Sequence, residues 1–243
     1  MTATDVPVVD GWLTDGQAAM LADAAAACPP DGDIVEIGSF RGKSTIVLAR
    51  AAPEGAAIVA IDPHAGNDRG PHEIGGFADE AASDRRIFER NLATAGVIHR
   101  VRHVAQFSDQ AHSAVPGTVD VLYIDGAHRY GPARADIRDW GARVADGGTM
   151  LIHDSFSSVG VTLAIIRELM FSGRFRYIGR SRSLTRYRAD LSRRDVPARL
   201  KNALRQLVEL PWFARNLALK VLLSAGLGTM LRRLGRDAPE WPY

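Results

Sequence analysis

Five chemistry-bearing side chains stand in or directly after short apolar runs of this chain: Glu36, Asp62, Asp125, His153 and Asp154. Glu36 interrupts Ile34-Val35-Glu36-Ile37 just before a glycine turn, and Asp62 ends the run Ala57 to Ile61. Asp125 ends Val119 to Ile124, and His153-Asp154 ends Gly148 to Ile152. A carboxylate at Glu36 suits an amino-bearing or cationic ligand and repels a pyrophosphate. A carboxylate at Asp62 can accept both hydroxyls of a ribose, which fits several nucleoside cofactors. Asp125 and Asp154 are a different matter. Two carboxylates held together repel unless a cation or a proton lies between them. Oxygen ligands with water describe a Mg²⁺-type site better than a zinc site. His153 as a third ligand would tilt preference toward Mn²⁺ or Fe²⁺; alternatively it faces away and bonds a backbone carbonyl.

The elements that must position these groups follow from the pattern. Asp10 to Cys28 reads as a helix with Thr14 at its N-cap and Pro29-Pro30 at its end. Strands are predicted at Asp33 to Ile37, Ala57 to Ile61, Val101 to Ala105, Val119 to Ile124 and Gly148 to Ile152, then a closing pair at Phe175 to Ile178 and Ser183 to Tyr187. Helices fill the intervals at Ser44 to Ala52, Glu80 to Ala95, Pro132 to Val144 and Val159 to Phe171, with a short one at Asp109 to Ala114. Alternation of this kind predicts an α/β fold with a doubly wound, mostly parallel sheet of seven strands. The strands are apolar throughout, as strands covered on both faces must be. Ligands in such sheets bind beyond the carboxyl ends of the strands, and that is where the five residues fall. Pro63 to Phe77, rich in Gly, Pro, His and Asp, reads as a long loop of the kind that forms lids, with His64 and His72 in it.

Composition narrows the class. Thirty Lys and Arg against 28 Asp and Glu give a net charge of +2, which singles out no partner. The one cysteine, Cys28, forms no internal disulfide and builds no thiolate metal site. Met1 to Val9 lacks the basic and apolar regions of a signal peptide, and no charge-free stretch is long enough to span a bilayer. The expectation is a cytoplasmic protein. A domain at 1–190 is followed by a helical extension at 191–243, where basic residues outnumber acids. Leu200 to Leu210 and Trp212 to Leu223 read there as basic amphipathic helices. They fit a dimer interface, packing on the sheet, or peripheral contact with the inner face of a membrane.

The turn after the first strand, Glu36-Ile37-Gly38-Ser39-Phe40-Arg41-Gly42, matches neither the dinucleotide pattern G-x-G-x-x-G nor the phosphate loop G-x-x-x-x-G-K-[ST]. It resembles motif I of the class I S-adenosylmethionine-dependent methyltransferases, E/D-x-G-x-x-x-G. The resemblance covers roughly Ile34 to Phe156 and implies their Rossmann-like fold. It implies S-adenosyl-L-methionine as cofactor, held by Glu36, Gly38, Ser39, Gly42, Asp62 and Asp125. Gln106-Phe107-Ser108 then falls where such enzymes pack adenine, with Phe107 stacking and Ser108 bonding a base edge or capping a helix. Asp125-Gly126-Ala127-His128 is similar to the D-G-x-H of the macrocin-type metal-dependent O-methyltransferases, with the catechol type more distant. That similarity implies Asp125 as a metal ligand and His128 as the general base. The acidic pair E-D of that pattern is His153-Asp154 here, so only Asp154 matches. The implied metal site is therefore Asp125, His153 and Asp154 around Mg²⁺ or Mn²⁺.

The expected reaction is O-methylation of a small hydroxylated acceptor such as a sugar or glycolipid. A hydroxyl is too weakly acidic to ionise unaided at neutral pH, so a cation and an imidazole base are the parts it needs. A nicotinamide oxidoreductase, or a non-catalytic nucleotide-binding protein of the same fold, are the alternatives. Nucleic acid is not expected as a partner, because Asp125-Gly126-Ala127-His128 is not the stretch that base methylation uses.

Overall fold

The computed structural model describes residues 9–65, 78–192 and 195–224. The expected lid between 66 and 77, with His72, lies outside them, as do the N-terminal segment 1–8 and the tail beyond 224. Seven strands form one sheet in the order β3-β2-β1-β4-β5-β7-β6. They are β1 (Asp33–Ile37), β2 (Ala57–Ile61), β3 (Val101–Val104), β4 (Val119–Ile124), β5 (Val144–Ile152), β6 (Phe175–Ser181) and β7 (Leu184–Ala189). β1 to β5 run parallel, and β7 enters antiparallel between β5 and β6. The chain leaves β1 toward β2 and β3, then returns to place β4 on the other side of β1. That reversal opens the crevice in which doubly wound sheets bind ligands.

Two apolar layers cover the sheet. On one face Ile34, Tyr123 and Leu151 pack with α1 (Asp15–Ala26), α2 (Lys43–Ala51) and α3 (Ala78–Thr94). On the other, Val35, Ile37, Leu122 and Ile152 pack with α4 (Tyr130–Ala135) and α5 (Val159–Glu168). Trp140 and Tyr187, both fully buried, are large members of this second core. The period of two in a strand decides which polar side chain faces which layer. Glu36 shares its parity with Ile34, and His153 with Leu151, so both point toward the α1–α3 layer.

Three local features differ from the sequence expectation. The helix expected from 132 to 144 is α4 followed by a π-helical turn at Asp136–Trp140 and a 3₁₀ turn at Gly141–Arg143. The wide turn buries Ile137 and Trp140 together with Asp136. β5 begins at Val144, four residues early, because Gly147 adopts φ +72° and the β4–β5 pairing slips between Val119 and Val121. The single short helix expected at 109–114 is two 3₁₀ turns, Ser108–Gln110 and His112–Ala114.

α6 (Val196–Leu207) and α7 (Leu210–Ser224), which follow the boundary read at 190, pack onto the domain. Leu210, Trp212 and Phe213 join the second core, and the Arg180 guanidinium lies 3.9 Å over the Trp212 ring.

Candidate active site

A cavity of about 1090 Å³ opens at the carboxyl ends of β1, β2 and β4. Gly38, Asp62, Phe107, Asp125, His128 and Asp154 all line it.

The turn from Gly38 to Gly42 forms its floor. Both glycines are left-handed, at φ +84° and +87°, a region open to glycine at no steric cost. Ser39 and Phe40 donate their backbone N–H groups to Asp62 Oδ2, at 2.9 and 2.8 Å. Asp62 Oδ1 accepts the His64 N–H at 2.8 Å. Asp62 therefore ties the turn to β2 and keeps acceptor capacity for a ligand hydroxyl, since each carboxylate oxygen has two lone pairs. Phe40, itself at φ +45°, lies beneath the Trp12 ring at 5.5 Å, so the segment before α1 closes one rim.

Glu36 does not line the cavity. Its fully buried carboxylate receives the Ser44 and Thr45 hydroxyls from the first turn of α2. The pleat carries it under the helix, so it supports the turn from below. Burial raises its pKa most; the two hydroxyl bonds pull it down, and the Asp125 and Asp62 charges raise it again, to about 8.

Phe107 is half-exposed at the cavity wall. Ser108 donates to Asp136 Oδ1 at 2.5 Å, and its carbonyl accepts the Trp140 indole N–H at 3.1 Å. Asp136 is buried, lines the same cavity, and has its pKa raised to about 6, chiefly by burial. It was missed in the sequence because it lies mid-helix in the expected 132–144 segment.

The strand-end cluster is tighter. His128 Nε2 lies 2.8 Å from Asp154 Oδ2. His153 Nδ1 lies 3.3 Å from both Asp154 Oδ2 and Asp125 Oδ1, well aligned with neither. The Tyr123 hydroxyl donates to Asp125 Oδ2 at 2.8 Å. Asp154 sits at φ +54°, a conformation that turns its side chain back toward the cavity. Burial opposes its charge, but His128 and His153 outweigh that and hold its carboxyl well below the ordinary range.

Gln17 decides where the His153 proton sits. Its Oε1 accepts the Thr14 backbone N–H at 2.9 Å, which fixes the amide orientation. Its Nε2 then faces Ser183 Oγ at 3.1 Å and His153 Nε2 at 3.3 Å. An amide NH₂ only donates, so in the neutral ring His153 Nε2 is the acceptor and Nδ1 carries the proton, whereas the charged ring carries a proton on both nitrogens and loses that acceptor. Burial lowers the pKa of this ring, yet the two carboxylates raise it to about 10. In either charge state Nδ1–H stands between the carboxylates. His153 thus turns an N–H and not a lone pair toward the two carboxylates, and the ligand atoms that converge are a different set. Asp125, His128 and Asp154 bring ligand atoms within 4.8 Å of one another, with His128 where His153 was expected. Two carboxylates and an imidazole fit a Mg²⁺- or Mn²⁺-type ion. In the sequence, Gln17 shows only its capping spacing from Thr14.

Residues 35–155 match the family model of a methyltransferase domain. Solved structures share the fold. The O-methyltransferase NovP is 18% identical over 72% of this chain and 79% of its own, with a TM-score of 0.57. The O-methyltransferase TomG of Streptomyces achromogenes, involved in tomaymycin synthesis and solved with S-adenosylmethionine, is 19% identical over 74% and 82%, TM-score 0.51. The Bacillus cereus O-methyltransferase, solved with S-adenosylhomocysteine, is 17% identical over 77% and 86%, TM-score 0.51. With motif I at the β1–α2 turn and the matched domain spanning the strand ends that build the cavity, the chain belongs to the class I S-adenosylmethionine-dependent methyltransferases.

Proposed function

We propose that this enzyme methylates a hydroxyl of a small acceptor, a sugar or the head of a glycolipid, with His128 as the general base. The observation that carries the reading is the convergence of Asp125, His128 and Asp154 at the mouth of the cavity. That structural neighbours are O-methyltransferases supports the same class of acceptor atom.

The chain's own groups divide the work. Ser39, Phe40 and Asp62 form a rigid cradle at the turn, with Asp62 Oδ1 able to accept a ribose hydroxyl. Phe107 offers a face for the adenine, and Asp136 with Ser108 offers polar atoms for its edge. The sulfonium donor supplies an already activated methyl group when bound. Asp154 holds His128 through Nε2 and so orients the imidazole that takes the acceptor proton. The His153 Nδ1–H lies 3.3 Å from both Asp125 and Asp154 and limits their repulsion. In the alternative, a divalent cation held by Asp125, His128 and Asp154 would lower the pKa of an acceptor hydroxyl, with the imidazole then a ligand and not the base.

The test is twofold. Calorimetric titration should give binding of S-adenosylhomocysteine and none of NADH. Production of S-adenosylhomocysteine should then be followed across sugars, phenols and glycolipids. Turnover confined to amine or carbon acceptors would overturn the hydroxyl assignment.

A further inference from the structure

α6 and α7 reverse the usual distribution of side chains. Their buried residues include Asn202, Gln206 and Asn216. Asn202 accepts the Tyr177 N–H at 2.7 Å and donates to the Leu169 carbonyl at 3.2 Å. Gln206 donates to the same carbonyl at 3.2 Å and accepts the Tyr187 hydroxyl at 3.1 Å. Asn216 donates to the Phe156 carbonyl at 3.1 Å. These amides fasten the helices to the C-terminal end of α5 and to the turn between β5 and α5, where backbone carbonyls need donors.

Apart from Ala203, Leu210, Trp212 and Phe213, which pack inward, many of the apolar residues are left outside. Val196, Leu200, Leu204, Leu207 and Val208 are all exposed, Leu204 by 63% and Val208 by 72%. At about 100° per residue they form one stripe along α6. Leu217 and Val221, one turn apart on α7, are exposed as well. Leu217 also lines the catalytic cavity. The exposed apolar surface therefore reaches the rim of the site.

The charges beside it are mostly basic, with Asp195 an exposed acid at the N-cap of α6. Lys201 and Arg205 on α6 and Arg215 on α7 are exposed, and neither helix contains an acidic residue. Glu209 between them is engaged by Arg180 at 2.6 Å and the Tyr177 hydroxyl at 2.8 Å. A second copy of this face would bring like charges together. An anionic lipid surface offers both complements: acyl chains for the leucine stripe and headgroup charges for the lysine and arginines. We propose that α6 and α7 dock on an anionic bilayer surface and bring the cavity mouth to the level of the lipid headgroups. Taken with the function proposed above, on which this clause rests, the acceptor is an amphiphile whose polar head enters the cavity.

The test is co-sedimentation of the full chain with two kinds of vesicle, phosphatidylcholine alone and phosphatidylcholine mixed with phosphatidylglycerol. Binding is expected to the anionic vesicles and to weaken in high salt. Lys201→Glu with Arg205→Glu should lower partitioning by roughly tenfold or more, since each basic residue near such a surface contributes about fivefold. Leu200→Ser with Leu204→Ser should also weaken it while leaving every charge in place. Both positions are exposed, so the fold should survive, and unchanged S-adenosylhomocysteine binding would verify that. No partitioning to anionic vesicles, or equal partitioning of the variants, overturns the proposal. A dimer in light scattering that Leu204→Ser dissociates would assign the stripe to a second copy instead. Vesicle binding requires no turnover, so failure of the hydroxyl assignment would leave this result readable.

Discussion

A β-carbon on Gly38 would lie 2.3 Å from the carbonyl oxygen of Asp125. The β1–α2 turn and the end of β4 are in backbone contact, and the Asp125 N–H bonds the Ile37 carbonyl at 2.8 Å beside it. The first glycine of the motif is thus required twice here, by its φ of +84° and by the strand next to it.

Gly38→Ala should therefore act on both halves of the site at once. A left-handed alanine costs about 1–2 kcal/mol, and overpacking against backbone adds roughly 1–3 kcal/mol. The expected loss is on the order of 3 kcal/mol in urea denaturation, together with loss of S-adenosylhomocysteine binding. A variant with wild-type stability would mean that the turn moves away from β4 without cost.

Glu36 gives a stability prediction with a definite sign. Its folded pKa is raised to about 8 from an ordinary 4.5, so the fold favours the protonated acid. The associated stability is full below about 4.5, declines as pH rises, and is lost above about 8. Glu36→Gln cannot ionise and still accepts a hydroxyl hydrogen. Its melting temperature should fall less than that of wild type between those two pH values, with the gap widest at the alkaline end. Parallel curves would show that Ser44 and Thr45 keep Glu36 charged in the fold.

The sheet and the edge carrying the site were legible because strands covered on both faces must be apolar, which makes each polar residue at a strand end conspicuous. What the sequence did not reveal was orientation. Glu36 and Ile34 have the same parity, as do His153 and Leu151, but parity does not say which helix layer a face meets. That placed Glu36 under α2 and His153 against Gln17, and let His128 join the carboxylates from the turn after β4. The same limit applied to α6 and α7. A strong apolar stripe ordinarily marks the buried face of a helix. Here open carbonyls at Leu169 and Phe156 select Asn202, Gln206 and Asn216 for the inside.

Gly160 tests the placement of His128 without touching its ring. It lies in the first turn of α5, where alanine would ordinarily be about 1 kcal/mol better than glycine. Its added β-carbon would meet the His128 carbonyl oxygen at 2.2 Å and the Tyr130 nitrogen at 2.7 Å, both backbone atoms. The clash should outweigh the propensity gain. Gly160→Ala should melt lower than wild type and turn over more slowly, with S-adenosylhomocysteine affinity close to normal. A higher melting temperature with full activity would mean that the loop yields freely.

The 2.8 Å contact between His128 and Asp154 has two chemical meanings, and they separate experimentally. In one, Asp154 orients an imidazole base. In the other, both are ligands of a divalent cation with Asp125. His128→Ala should lower turnover by ~10²–10⁴-fold, the range for loss of a general base, with cofactor affinity nearly unchanged. Asp154→Asn should follow it, because the amide keeps the side chain's shape but removes the charge that holds the ring. Chelation is the discriminating step. If activity survives excess EDTA yet falls in both variants, the pair acts as a base with its orienting carboxylate. If EDTA abolishes activity and Mg²⁺ or Mn²⁺ restores it, Asp125→Asn should be as damaging as Asp154→Asn, because the ion needs both carboxylates. The base reading makes a weaker demand on Asp125, whose carboxylate is engaged by Tyr123 and His153. Full activity of His128→Ala with an unchanged pH profile would remove the imidazole from the reaction in either case.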